Sequence, residues 1–135
     1  MLWESDWDLN DVEHSKYILN FGSNAFEAHQ GHVPFANRIQ NGRFKNGAKM
    51  VTFDVRLSNT AGNSDEWFSP FPGTDGAVAL AMCHVILHED KVDADFVNTW
   101  TTSSVDELKE HLKDYAPEKM SKMGFFEKLF HFFRQ

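Results

Sequence analysis

The sequence predicts an α/β fold: a three-layer, Rossmann-like half in which a short parallel sheet of three strands is flanked by helices on both sides. Three observations point there. Strand-length apolar runs at residues 17–21 (YILNF) and 50–55 (MVTFDV) are separated by a helical pattern, the order of a parallel crossover. In the second run Val51, Phe53 and Val55 are β-formers, with only Thr52 and Asp54 turning to solvent, which suits a strand covered on both faces. Polar residues gather at 22–24, 57–66 and 73–75, where strands end, and open α/β sheets bind ligands at such ends.

Taken in order, residues 1–12 are acidic and aperiodic and read as a lead-in loop, with Trp3 or Trp7 anchoring it to the core. Residues 17–21, closed by Gly22, read as a buried first strand. Val33, Phe35, Ala36, Ile39 and Phe44 lie on one helix face; Pro34 is tolerable in a first turn, and Gly42 or better Gly47 stops the helix. The second strand follows, then a polar loop (LSNTAGNSDE), then a short third strand at Trp67 and Phe68 ended by Pro70 and Pro72. Thr74 and Asp75 make an N-cap and an acidic first turn. The helix they open, residues 77–87, is apolar almost all round and reads as buried, with Cys83 a core thiol. Residues 92–100 form a short helix or turn, and Ser104 caps VDELKEHLKDY, an amphipathic helix ended by Pro117.

Composition bounds the function. A chain of 135 residues is one domain by size, with 41% hydrophobic and 24% charged residues. The net charge of −7 and the lack of a basic stripe with aromatics argue against a nucleic-acid partner. From residue 117 onward four Lys/Arg face two acids, so the end is about +2 and the remainder about −9. One cysteine excludes an internal disulfide and a cysteine-ligated iron–sulfur cluster made by this chain alone. No signal peptide or membrane-length apolar run is expected.

Three loops carry candidate chemistry. Gly22, Ser23 and Asn24 form a turn whose N–H groups either favour a phosphate or simply pack tightly; this is neither G-x-G-x-x-G nor a P-loop. Asp54 stands where doubly wound folds place an acid on a ribose hydroxyl, or it caps a loop N–H. Arg56 either clamps a phosphate bidentately or pairs with Asp54. Asp75 either accepts from a guanine N1–H and N2–H₂ edge or caps its helix.

Together the blocks GSNAFEAHQGH, FDVRLSNTAGNSDEW and FPGTDGAVALAMCHVIL resemble the molybdopterin oxidoreductase family, the dimethyl sulfoxide reductase superfamily, over roughly residues 6–118. The resemblance implies an α/β domain at 1–118 that holds the guanosine and pyrophosphate end of molybdopterin guanine dinucleotide in an oxidoreductase. It implies that Gly22, Ser23, Asn24, Glu27 and His29 line the first loop against the cofactor. Asp54, Arg56 and Ser58 meet the ribose and phosphates, and Gly73, Thr74 and Asp75 meet the guanosine. Family members are several times longer. The iron–sulfur cysteine motif, the molybdenum-ligating segment and the C-terminal domain of the cleft have no counterpart in this sequence, and Val55 replaces the proline common after the strand-end aspartate. No catalytic or metal-ligating residue is therefore expected in this chain, and its implied partners are the remainder of a molybdoenzyme or its electron-transfer subunits. Relatives are cytoplasmic or periplasmic.

Other readings compete. His84 and His88, spaced i,i+4, can hold zinc but lack a third ligand. Residues 119–135 form a Phe-rich, basic, amphipathic tail: a rearranged terminus, a segment docked on its own core, or, least favoured, a membrane or partner contact. The alternatives for the whole chain are a free-standing nucleotide-binding module or a nonfunctional truncated product.

Overall fold

A computed structural model describes residues 10–28 and 31–122, with no side-chain placement for residues 32, 121 and 122. The chain divides at Ser69/Pro70 into two compact units, residues 1–69 and 70–135.

The first unit holds β1 (Tyr17–Phe21), α1 (His32–Asn46), β2 (Lys49–Phe53), α2 (Asn59–Gly62) and β3 (Glu66–Phe68). The strands form one parallel sheet in the order β1-β2-β3, with Tyr17 opposite Lys49, Phe21 opposite Phe53 and Phe53 opposite Phe68. The small α/β domain read from the sequence is therefore present, built on the expected three short strands. Side chains alternate across a strand, so Ile18, Asn20, Met50 and Thr52 share one face. There α1 packs Phe35 and Ile39 with Met50 and Ile18, and Val12 and Ala25 close the cluster. Ile39 and Met50 are each 1% exposed; burying such a side chain stabilises the fold by about 1.5–3 kcal/mol.

Glycine sets the limits of α1. Gly47, at φ 70°, is its left-handed C-cap and donates to the Arg43 and Gly42 carbonyls. Gly42 does not stop the helix. It lies inside α1, where a Cβ would fall 2.6 Å from the Val12 carbonyl oxygen, so the lead-in chain crosses the helix only because no side chain is there.

On the other face Phe21, Phe53 and Phe68 stack in register, with ring centroids 4.6 and 5.5 Å apart. Val51 and Phe53 are fully buried, in keeping with a central strand. Three expectations need correction. Val55 does not belong to a covered strand: β2 ends at Phe53 and Val55 is 56% exposed in the loop that follows. β1 is a sheet edge and not a buried strand: Tyr17, Leu19 and Phe21 are 37–45% exposed. Thr52 does not face solvent but is fully buried, because α1 and α2 cover its side of β2.

At the amino end of the sheet Asp65 joins three elements. Its carboxylate accepts from the Met50 N–H at 2.7 Å and from Arg43 at 3.0 Å, while its own N–H donates to the Met50 carbonyl. Burial opposes ionisation, but the Met50 and Arg43 hydrogen bonds and the charges of Arg43 and Lys49 outweigh it and hold the carboxyl below the usual range.

The second unit is helical: α3 (Asp75–His88), α4 (Ala94–Trp100), α5 (Val105–Leu112), a 3₁₀ turn (Lys113–Tyr115) and α6 (Pro117–Lys122). Ser104 begins α5 with a reciprocal capping box: its hydroxyl accepts from the Glu107 N–H at 3.3 Å, and Glu107 accepts from the Ser104 N–H at 2.8 Å. The amphipathic helix ends at Leu112, earlier than expected, and Pro117 opens α6 instead of closing α5, since a first helical turn has no use for the missing N–H. α3 is not buried all round. Val78, Ala81 and Leu87 are buried, but Ile86 is 45% exposed and Cys83 is a surface thiol. Apolar composition alone does not bury a helix; within this unit the short α5, the 3₁₀ turn and α6 pack against it. Among the described residues no helix is long and apolar enough to cross a membrane. Trp3, Trp7, His29 and most of the Phe-rich tail lie outside the described residues.

Candidate functional site

The carboxyl ends of β1 and β2 lie side by side because the strands are parallel and in register, so the loops leaving them meet. The first loop starts at Gly22, whose φ of 63° turns the chain away from the sheet. Its N–H is not available to a ligand, since it donates to the Phe53 carbonyl at 2.8 Å and extends the ladder. The next two N–H groups, of Ser23 and Asn24, donate no hydrogen bond among the described residues, whereas Ala25 is 2% exposed and packed in the core. Successive free amide donors after a left-handed residue can hold an anion. The donors belong to the turn itself, because α1 begins only at His32.

Glu27 knits the two loops together. Its carboxylate accepts from Asn24 Nδ2 at 2.6 Å and from Asn59 Nδ2, and Arg56 Nη2 stands 3.8 Å away. The Arg56 side chain is 69% exposed and, among the described residues, held only by this loose pair, so its guanidinium can take a phosphate bidentately. Asp54 is engaged locally. One oxygen accepts from the Arg56 N–H at 3.2 Å, the other from the Ser58 hydroxyl at 2.8 Å, and the Asp54 carbonyl accepts from Trp67 Nε1. Each carboxylate oxygen keeps further acceptor capacity for a hydroxyl. Ser58 is buried, caps α2 by accepting from the Ala61 N–H, and has its proton committed to Asp54. Its role is therefore to shape the loop.

A buried polar seam under the loops was not legible as site chemistry. Asn20 Nδ2 donates to the Ser23 carbonyl at 2.9 Å and to Thr52 Oγ1 at 3.4 Å. Thr52 shares a 2.6 Å bond with Ser64, which donates to the Thr60 carbonyl. Thr60, fully buried, donates to Asn24 Oδ1 at 2.9 Å and accepts from the Phe26 N–H at 3.1 Å. This chain of hydroxyls fixes the first loop to α2. The available signal was the alignment of Asn20 with Thr52, a polar pair across two otherwise apolar strands.

A cleft of about 280 Å³ lies between β1, the lead-in chain at Asn10 and Val12, and the core side chains under α1; it touches the first loop at Ser23 and Ala25 but is not lined by Asp54 or Arg56. A second, of about 370 Å³, lies by Arg43, Lys49 and Asp65 at the opposite end of the strands. Ligands of open α/β sheets bind at carboxyl ends, where Ser23, Asp54 and Arg56 stand, and Asp54 and Arg56 line neither cleft.

In the second unit Gly73 has φ 84° and sets the turn before α3. Thr74 is the N-cap by position, but its side chain does not cap; the hydroxyl turns back to the Phe71 carbonyl at 2.7 Å. Asp75 is exposed in the first turn of α3, and its side chain makes no hydrogen bond among the described residues. The described residues contain no group of three His, Cys, Asp or Glu able to hold a metal ion.

The chain matches the profile of the molybdopterin oxidoreductase family over residues 1–124. It is 40% identical over 108 residues to the thiosulfate reductase molybdopterin-containing subunit PhsA of Salmonella typhimurium, covering 80% of this chain and 14% of that protein. Against the F420-dependent formate dehydrogenase subunit alpha of Methanocaldococcus jannaschii it is 39% identical over 115 residues, 85% of this chain and 16% of that one. Among solved structures, acetylene hydratase from Pelobacter acetylenicus superposes with a TM-score of 0.72 at 30% identity, over 84% of this chain and 15% of that one. The chain thus spans about one seventh of the length of the relatives it matches. It belongs to the molybdopterin oxidoreductase family.

Proposed function

We propose that this chain is the cofactor-holding segment of a molybdopterin-dependent oxidoreductase and grips the guanosine and pyrophosphate end of molybdopterin guanine dinucleotide. One observation carries the reading: the free N–H groups of Ser23 and Asn24 and the loosely held Arg56 guanidinium sit on adjoining loops at the carboxyl ends of β1 and β2. That donor set fits a diphosphate, which presents several anionic oxygens and no donors. The relatives support it from another side. Their names include a thiosulfate reductase, a formate dehydrogenase and an acetylene hydratase, so the shared segment serves what those proteins have in common and not one substrate.

In this reading the bound molybdenum–pterin group supplies the redox chemistry. The chain's own residues bind and orient. The turn amides and Arg56 hold the diphosphate, and Asp54 accepts from a ribose hydroxyl while Ser58 fixes its rotamer. Glu27 and Thr60 keep the loops in place before the cofactor arrives, which lowers the ordering cost of binding. Asp75 accepts from the guanine edge; that assignment, and those of Gly73 and Thr74, rest on the family resemblance. The chain's partners are the rest of a longer molybdoenzyme and its companion subunits.

Thermal melts with guanosine diphosphate, adenosine diphosphate and NAD test the proposal. At a hundredfold excess over its dissociation constant a ligand adds about 2.7 kcal/mol of stability. Guanosine diphosphate should raise the melting temperature, Arg56→Ala should reduce the shift, and Asp75→Ala should remove the preference for guanine. A shift with NAD and none with guanosine diphosphate would point to a different dinucleotide and overturn the reading.

A further inference from the structure

The loop that leaves β2 is gripped at its base by the strand beside it. The Trp67 indole N–H donates to the Asp54 carbonyl at 2.8 Å, the Phe68 carbonyl accepts from the Asp54 N–H at 3.0 Å, and the Ser69 hydroxyl donates to the Val55 carbonyl at 3.1 Å. The bond to Phe68 continues the ladder between β2 and β3. The two side-chain bonds are additions to that ladder. Trp67 lies opposite Thr52, so its ring reaches two residues along β2 to find Asp54. The ring is 39% exposed on an edge strand, so burial alone does not account for its placement. An indole has one polar hydrogen, and Trp67 spends it on this loop.

The consequence falls on the Asp54 side chain. Both backbone groups of Asp54 are bonded to β3, and its two carboxylate oxygens are bonded to the Arg56 N–H and the Ser58 hydroxyl. Glu27 braces the same region only through the side chains of Asn59 and Arg56, which leaves the main chain at 54 and 55 to the residues of β3 and its exit. Fixing that main chain fixes where the carboxylate points. An acceptor held in place beforehand costs its ligand less ordering on binding. Resting on the cofactor-holding reading above, we propose that Trp67 and Ser69 are positioning residues. Their clamp presents the Asp54 carboxylate to a ribose hydroxyl and so sets a preference for nucleotides with an intact ribose. Both act through Asp54.

The test is calorimetric titration of the 135-residue chain with guanosine diphosphate, its 2′,3′-dideoxy analogue and inorganic pyrophosphate. The parent should favour guanosine diphosphate over the dideoxy form by about tenfold or more, the worth of a hydrogen bond to a charged group. Trp67→Phe keeps an aromatic ring and loses the indole N–H. It should lower that ratio on the order of fivefold, the worth of one neutral hydrogen bond, with pyrophosphate affinity unchanged. Ser69→Ala should act in the same direction, and Ser69→Thr, which keeps the hydroxyl, should restore the parent ratio. A merely destabilising change would weaken all three ligands alike. Amide exchange in the ligand-free chain reads the clamp separately. At Arg56, whose N–H is bonded to Asp54, exchange should quicken in Trp67→Phe and Ser69→Ala but not in Ser69→Thr. A parent that binds neither nucleotide would overturn the cofactor-holding reading and the ribose role together. In a parent that discriminates, unchanged ratios in Trp67→Phe and Ser69→Ala would overturn the positioning role and leave that reading intact. Parent-like exchange at Arg56 in both variants would overturn the clamp whatever the chain binds.

Discussion

Replacing Thr60 by valine tests whether the polar seam sets the loop geometry. Valine keeps the volume and branching of threonine, so it leaves no cavity at a position that is fully buried. It removes two hydrogen bonds, the 2.9 Å bond donated to Asn24 Oδ1 and the 3.1 Å bond accepted from the Phe26 N–H. Each contributes about 1 kcal/mol net, and an amide left dry beneath the loop adds to the loss, so the total is about 2–3 kcal/mol. Thr60→Ser keeps both bonds and gives up one methyl group, a loss of about 1 kcal/mol. Urea unfolding followed by far-ultraviolet circular dichroism measures both. Valine should lower the midpoint clearly more than serine. Equal stability of the valine variant and the parent, or a larger loss for serine, would mean that packing and not hydrogen bonding governs Thr60.

Three further outcomes follow from the geometry. Gly42→Ala drives a methyl group to 2.6 Å from the Val12 carbonyl oxygen and should destabilise the first unit by about 1–3 kcal/mol, seen as a lower melting temperature although alanine is the better helix former. Asp65→Asn should lower stability at neutral pH. The folded carboxyl titrates below its unfolded value of about 3.9, so its contribution is complete above that pH and fades as pH falls through the folded value; the gap between parent and variant, read by urea midpoints, should close in that acid range. Ser104→Ala removes the N-cap of α5 and should cost about 1 kcal/mol, with the loss shown as faster amide exchange in the first turn of that helix.

Local signals were legible and covering was not. The first strand was delimited by an apolar run against Gly22, α1 by Gly47 and α5 by Ser104, and each signal acts within a few residues of the feature it sets. Burial depends on what comes to lie on top. The sequence of β1 suits a covered strand, yet its outer row is exposed because β1 is the edge of the sheet. Cys83 sits in an apolar helix and still reaches solvent. Thr52 and Thr60 look like solvent-facing or loop residues; they are interior because each finds a partner in another segment, and no local pattern announces such a partner. The same holds for the site. The positions of Gly22, Asp54 and Arg56 at strand ends follow from sequence order, whereas the joining of the loops through Glu27 depends on a pairing with Asn59, 32 residues further along.

The most direct test of the cofactor-holding role is a nuclear magnetic resonance titration of the ¹⁵N-labelled chain with guanosine diphosphate. Amide shifts should concentrate at Ser23 and Asn24, extend to the loop at 54–58, and include Asp75, while α5 stays unmoved. Shifts confined to other surfaces, or none at saturating nucleotide, would contradict the claim that these loops grip the nucleotide end of the cofactor.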